Sequence, residues 1–518
     1  MTGRCPPGGE VGFLSGVFFM RGCIAASVVL LVFSSPIAAA DFAAEAQQNW
    51  HQWRGPNADG VSPQGKPPTE WTDEKNVKWK TAIPGRGSAS PVVWGDRIFL
   101  LTAVDTGQPK EEAAAGEAAT DEGVKQTSAE EPAASEAPAG ETPATESAGE
   151  EPRGEEGRGE RRGRGRFGRG GPGGFGGGFG RRSGPVNIQQ YTVVCVDRTS
   201  GDILWQKVAR EAAPLEAGHD TNTHASASAT TDGKYVYCSF GSHGIYCYDL
   251  EGNLKWEKDL GDMTTRNGFG EGASPTIHGD TLVVSWDHES GSFITALDAA
   301  TGEEKWKTPR DEVTTWNTPL VVEAAGRTQV VVNGTNRSRG YDLATGEQIW
   351  ECGGQATNPI ACCVTFDGLV YCMTGHRGSA VVAIPLDAEG DITGTEKVAW
   401  TSDLGAPYVP SPVLYGHRLY FHKSSNGILS CLDARDGTPL INQKRLPGIE
   451  NVYASPVGAA GRVYLTGRDG TTLVIRDADE LEVLATNTVG EAVDASPAIV
   501  GDEMFIRGEK HLFCISEQ

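Results

Sequence analysis

The residues with the most chemistry in this chain recur at one kind of place, a few positions ahead of a Ser-Pro-like pair that leads into an apolar run. They are His224, Glu271, Trp316, Asn317, Asn358, Tyr408, Tyr453 and Asp494. Gathered at one opening, two carboxylates, a histidine, side-chain amides and aromatic rings would suit a small polar ligand or a cation. Water-filled openings are also polar, so the set means binding only if the fold brings it together. A second candidate is the adjacent thiol pair Cys362-Cys363. The chain has eleven cysteines, nine of them beyond Ala40, so at least one is unpaired or joins another chain. Cys238 and Cys247 flank Gly241-Ser-His-Gly244 symmetrically, as Cys363 and Cys372 flank Asp367-Gly368, which positions each pair to face across two strands. His219, Asp220 and His224 lack the ligand spacing of a zinc site, and no metal is assigned. There is no Ser-centred nucleophile elbow and no phosphate-binding Gly loop, so no catalytic residue is assigned either.

The elements that must position these residues repeat along the chain. The lead-in pairs are Ser90-Pro91, Ser228-Ala229, Ser274-Pro275, Thr318-Pro319, Asn358-Pro359, Ser411-Pro412, Ser455-Pro456 and Ser496-Pro497. Each precedes two short apolar strands separated by a Gly-containing turn. A hairpin of the form Asp, turn, Gly, Trp then follows, at Asp197 to Trp205, Asp249 to Trp256, Asp298 to Trp306 and Asp342 to Trp350. The Asp side chain accepts turn amides, the Gly supplies a positive φ, and the strand closes on an aromatic anchor that one hairpin cannot bury alone. Eight such repeats read as eight units of four antiparallel strands. The aromatic anchors are Trp79, Trp205, Trp256, Trp306, Trp350 and Trp400, with Ile441 and Leu484 in the same place in two repeats. Cys195, Cys247, Cys431 and Cys514 share a third-strand slot with Ala296 and Gly340 and are there for size. The last repeat lacks its fourth strand, and residues 77–80 form an unpaired strand at the other end. Pairing the two closes a circle and removes the exposed edge.

The remainder of the chain divides by composition. An apolar run behind Arg21 and ahead of Ala38-Ala39-Ala40 predicts a signal peptide over 1–40, cleaved near Ala40, and hence an exported protein, periplasmic or extracellular. That run is too short to span a bilayer, and no membrane span is expected. Residues 41–70, with Trp50-His-Gln-Trp53-Arg-Gly-Pro-Asn-Ala-Asp-Gly60, have no strand period and read as a cap on a main body over 71–518. Within the first repeat, residues 105–187 interrupt the pattern: fifteen acidic residues crowd 111–160 and nine arginines, among glycines, crowd 153–182. Such a stretch buries too little apolar surface to offset the entropy of ordering and is predicted to be a disordered insert. Composition favours a solvated tether over a polyanion contact there. A net charge of −23 disfavours nucleic acid as a partner.

With Leu-Asp-Ala-Ala-Thr-Gly-Glu-Glu-Lys-Trp306 and Tyr-Asp-Leu-Ala-Thr-Gly-Glu-Gln-Ile-Trp350 in view, the chain resembles the PQQ-type, quinoprotein-like β-propeller repeat family. The resemblance implies an all-β, eight-bladed propeller in which each of the six Trp anchors docks between neighbouring blades. The 50–60 stretch looks like that of exported planctomycete-type members, which are similar to BamB-type assembly factors. It implies a non-catalytic, cofactor-free binding or scaffold protein for a protein or small polar ligand. The alternative it implies is a PQQ- and Ca²⁺-dependent dehydrogenase of alcohols or sugars. In that case Cys362-Cys363 would lie over the quinone, and Glu271, Asn317 and Asp494 would offer oxygen ligands to Ca²⁺.

Overall fold

A computed structural model describes residues 42–72, 74–110 and 186–517. The repeated hairpin forms for the reasons its residues supply. Asp298 accepts the backbone N–H groups of Ala300 and Thr301 at 3.1 and 3.0 Å, and the Gly302 N–H returns to the Asp298 carbonyl at 2.8 Å. Gly302 sits at φ +72°, where a side chain would be strained and would also strike the Trp256 ring of the preceding unit. The same Asp-capped turn recurs at Asp197 and Asp342.

Eight antiparallel sheets result. Blade 1 runs through Val92–Trp94, Arg97–Pro109, Asn187–Asp197 and Ile203–Ala212. Blade 2 starts at Thr230–Thr231, blade 3 at Thr276–His278, blade 4 at Leu320–Ala324, blade 5 at Val364–Phe366, blade 6 at Val413–Tyr415 and blade 7 at Val457–Ala459. Blade 8 has Ala498–Val500, Glu503–Arg507 and His511–Ile515, and takes its outermost strand from Val77–Ala82. That pairing, with Val77 opposite Ile515 and Lys80 opposite Phe513, closes the circle as the unpaired N-terminal strand predicts. The apolar core lies between blade faces: Leu100, Val196 and Phe505 share one cluster and Val283, Val330 and Tyr341 another.

The small-residue slot has a physical explanation. Cys195, Cys247, Ala296, Gly340, Ala383, Cys431 and Cys514 stand directly opposite Trp205, Trp256, Trp306, Trp350, Trp400, Ile441 and Trp79. A β-bulge beside most of these pairs shifts the register by one. That bulge also corrects the anchor expected at Leu484, because Ala485 is the residue opposite Val474.

Each indole N–H then reaches the next blade. Trp79, Trp205, Trp256, Trp306 and Trp400 donate to the carbonyls of Arg198, Leu250, Ala299, Leu343 and Ala434, at 2.8 to 3.1 Å. Trp350 departs from this pattern. The next blade is separated here by Gly390–Asp391, a short strand that adds in parallel to Gln348–Cys352. Trp350 folds instead over Gly340, where a Cβ would lie 2.2 Å from its Nε1, and donates to Gln329 Oε1 at 3.0 Å. Gln329 Nε2 in turn donates to the Leu386 carbonyl of blade 5 at 2.6 Å. One buried amide therefore replaces the direct contact.

Residues 50–71 cross one face of the propeller as a strap. Trp50 bridges Val93 of blade 1, the His51 carbonyl accepts from Thr231 of blade 2, Val61 bridges Gly458 of blade 7, and the Trp71 N–H reaches Asn487. On blade 1, pairing between the second and third strands continues to Pro109 opposite Asn187, and the Lys110 N–H meets the Val186 carbonyl at 3.0 Å. The signal peptide expected over 1–40 and the acidic and Arg-Gly runs of the insert lie outside the described residues.

The cysteine pairs behave differently from each other. Cys363 and Cys372 do face each other, with sulfurs 3.1 Å apart. Cys238 and Cys247 do not, because they occupy adjacent ladder positions with opposite faces, Cys238 packed among blade 1 residues and Cys247 beside Trp256. All nine described cysteines are buried and free.

Candidate functional site: the axial cavity

The lead-in residues organise the axis. The Ser90 N–H donates to Ser228 Oγ at 2.9 Å, Ser228 to Ser274 at 2.9 Å, Ser274 to Thr318 at 3.2 Å and Thr318 to Cys362 Sγ at 3.4 Å. The sequence continues from Cys362 to Ser411 at 2.9 Å, Ser411 to Ser455 at 2.9 Å, Ser455 to Ser496 at 2.8 Å, and Ser496 back to Ser90 at 3.1 Å. Each blade gives one amide to the next blade's side chain, and the eight bonds close a circle. In blade 5 the lead-in is therefore Cys362-Cys363, and the assignment to Asn358-Pro359 is corrected: a proline marked most lead-ins in the sequence, and this one has none.

Above this circle lies a cavity of about 780 Å³. Its floor is formed by the circle's hydroxyls and by Trp53 of the strap, whose Nε1 donates to Cys362 Sγ at 3.3 Å. Beside it Arg54 is fully buried and donates to the Pro412 carbonyl at 2.7 Å. Burial lowers the Arg54 guanidinium to about 10 and raises nearby Asp59 to about 6. The walls come from the segments that connect the outer strand of one blade to the inner strand of the next, together with the turn carrying His376 and Arg377.

Of the residues singled out from sequence, Trp316, Asn358, Tyr408, Tyr453 and Asp494 line this cavity. The Trp316 indole donates to the Gly270 carbonyl at 2.7 Å. Asn358, at φ +58°, accepts from Arg266 Nη1 at 3.0 Å. Tyr408 stacks on His376, with ring centres 4.6 Å apart. Tyr453 meets Thr221 Oγ1 at 3.1 Å and lies under the Arg468 guanidinium, 4.1 Å from its ring centre. Asp494 forms a two-point pair with Arg468 at 2.6 and 2.9 Å. His224 and Glu271 are in a separate small cavity of about 50 Å³. There Glu271 accepts the Ser242 N–H at 2.8 Å and the Ser242 hydroxyl, and burial raises its carboxyl to about 7. Asn317 is buried and lines neither cavity; its amide atoms have no partner among the described residues.

Residues that sequence reasoning passed over matter as much. Arg266, Arg377, His219 and His376 also line the main cavity, all on non-repeating connections or turns that no period marks. Burial first, then the charges of Arg377 and Arg266, hold the His376 imidazole below its ordinary range. Thr221 meets His219 Nδ1 at 2.9 Å, yet no carboxylate among the described residues orients that imidazole.

The residues considered for a quinone and its Ca²⁺ do not fit that group. Cys363 turns away from the cavity toward Cys372, while Cys362 takes its place in the circle. Glu271, Asn317 and Asp494 occupy three separate settings, and among the described residues no three acidic, histidine or cysteine side chains are grouped for a metal.

An eight-bladed propeller with indole-docked blades and an axial cavity blocked on one side by a strap is the class of protein that fold and site define. The family model of the outer membrane protein assembly factor BamB matches residues 189–443. Over that stretch, just under half of its length, the chain is similar to the PQQ-like β-propeller family. Among solved structures, the quinohemoprotein alcohol dehydrogenase of Comamonas testosteroni is similar at 9% identity and TM-score 0.54, covering 93% of this chain and 84% of that one. BamB of Moraxella catarrhalis is similar at 14% identity and TM-score 0.47, over 62% of this chain and 91% of that one. No curated protein matches the chain.

Proposed function

We propose that this chain is an exported, non-catalytic binding or scaffold propeller of the BamB-like kind, holding a protein or small polar ligand at the mouth of the axial cavity. The observation that carries the reading is how the reactive groups there are engaged. Asp494 is tied to Arg468, Asn358 to Arg266 and Tyr453 to Thr221, so they form a braced wall across blades. A braced wall suits recognition, because its polar groups are already oriented before a ligand arrives. Among the described residues no helix is long and apolar enough to cross a membrane.

Cross-linking and mass spectrometry of the protein purified from the periplasmic fraction test this proposal. A reproducible stoichiometric partner, or a tightly retained small molecule, is the expected result. Dye reduction that depends on added PQQ and Ca²⁺ would overturn it in favour of a quinoprotein dehydrogenase.

A further inference from the structure

Resting on that binding reading, we propose that the axial cavity takes a small hydroxylated carboxylate, a sugar acid of one or two rings. Charge is the first observation. The chain carries −23 overall, yet the charged side chains lining the cavity are Arg266, Arg377 and Asp494, and Asp494 is already neutralised by Arg468. Arg266, whose guanidinium donates to the neutral Asn358 amide, thus keeps a positive charge at the cavity wall of a negative protein, which turns away a cation and favours an anionic group beside it.

The floor supplies the second observation. Ser228, Ser274, Thr318, Ser411, Ser455 and Ser496 all line the cavity, and each oxygen there accepts an amide of the preceding blade. None of these hydroxyls donates to a described residue, so their protons remain for a ligand rich in acceptor oxygens. The walls add aromatic rings, Trp53, Trp316 and the stacked pair Tyr408 and His376, of the kind that packs against the C–H sides of a sugar ring. A volume of about 780 Å³ accommodates a ligand of disaccharide scale.

Isothermal titration of the mature full-length protein tests the assignment with three probes: a uronic-acid disaccharide, the uncharged disaccharide of the same linkage, and sodium sulfate. The acidic sugar is expected to bind, and the neutral one to bind roughly tenfold more weakly or worse, as loss of one charge-assisted contact implies. Arg266→Gln should weaken the acidic sugar by a similar factor and leave the neutral one unchanged. Equal affinity for both sugars, sulfate binding as tight as the acidic sugar, or no heat from any probe would each overturn the proposal. Partner capture is a separate measurement: sugar-acid binding without any protein partner would count only against the scaffold role, and a protein partner without sugar-acid binding only against this ligand.

Discussion

Gln329 offers the sharpest test of how the blades are joined. It is fully buried and holds two groups that have no other partner among the described residues, accepting from Trp350 Nε1 at 3.0 Å and donating to the Leu386 carbonyl at 2.6 Å. Gln329→Leu keeps the volume and removes both bonds, stranding an indole N–H and a carbonyl between blades 4 and 5. Each stranded buried group costs about 1–3 kcal/mol, so the variant should lose roughly 2–5 kcal/mol after the small gain from a more apolar side chain. Gln329→Glu should be no better, since a carboxylate still accepts from Trp350 but has no proton for Leu386. Equilibrium guanidinium denaturation measures the loss, and pairing Gln329→Leu with Trp350→Phe completes a double-mutant cycle. The single variants should couple by about 1 kcal/mol or more, because they share one bond. If Gln329→Leu unfolds within 1 kcal/mol of the parent, the amide is not what links these blades and the argument fails.

Three further outcomes are expected. Removing residues through Thr81 takes away Trp50, Trp71 and Trp79 and opens blade 8, and at about 2 kcal/mol per large apolar side chain should cost roughly 5 kcal/mol or more; a melting curve like the parent's would refute closure by that strand. Replacing 111–185 with a four-residue turn between Lys110 and Val186, already hydrogen-bonded at 3.0 Å, should leave stability unchanged or raise it by roughly 2–3 kcal/mol, whereas failure to fold would show that the segment belongs to the body. The pH response of Glu271 has a definite sign: burial raises its carboxyl from 4.5 to about 7, so the fold favours the protonated form. Its contribution is complete below pH 4.5 and is lost as pH rises through 7, an excursion of roughly 3 kcal/mol at most. Thermal denaturation of Glu271→Gln beside the parent should therefore show the variant gaining relative stability between pH 4.5 and 8, and parallel curves would contradict the assignment.

Much of the blade architecture is legible in the sequence because its causes are local. An Asp that caps its own turn, a Gly at positive φ and a Trp a fixed distance on announce themselves within ten residues. Even closure is visible, since residues 77–80 are a strand without a hairpin and the last repeat has three strands of its own. What was missed depends on contacts far apart in sequence. Ala485 replaces Leu484 because of a bulge, which composition does not show. Gln329 is an unremarkable polar residue until Leu386 and Trp350 come to lie on either side of it. In the site, Tyr408 and Tyr453 were found through their offset from a lead-in, whereas Arg266 sits on a turn further from its lead-in, within the connection between two blades. Glu271 and His224 have the right offset but point into a neighbouring hollow, because side-chain direction is fixed by the loop and not by sequence distance.

The circle of lead-in residues has a further property. Every link joins one blade's amide to the next blade's side chain, so damage at one position is confined to one boundary and cannot travel round the axis. The chain already shows this tolerance: Cys362 offers a sulfur where six blades offer a serine and one a threonine, the bond to it stretches to 3.4 Å, and the flanking links on either side stay at 3.2 and 2.9 Å. Sequence drift at the axis is thus absorbed one seam at a time, and the floor of the cavity is free to diversify its chemistry while the number of blades stays the same.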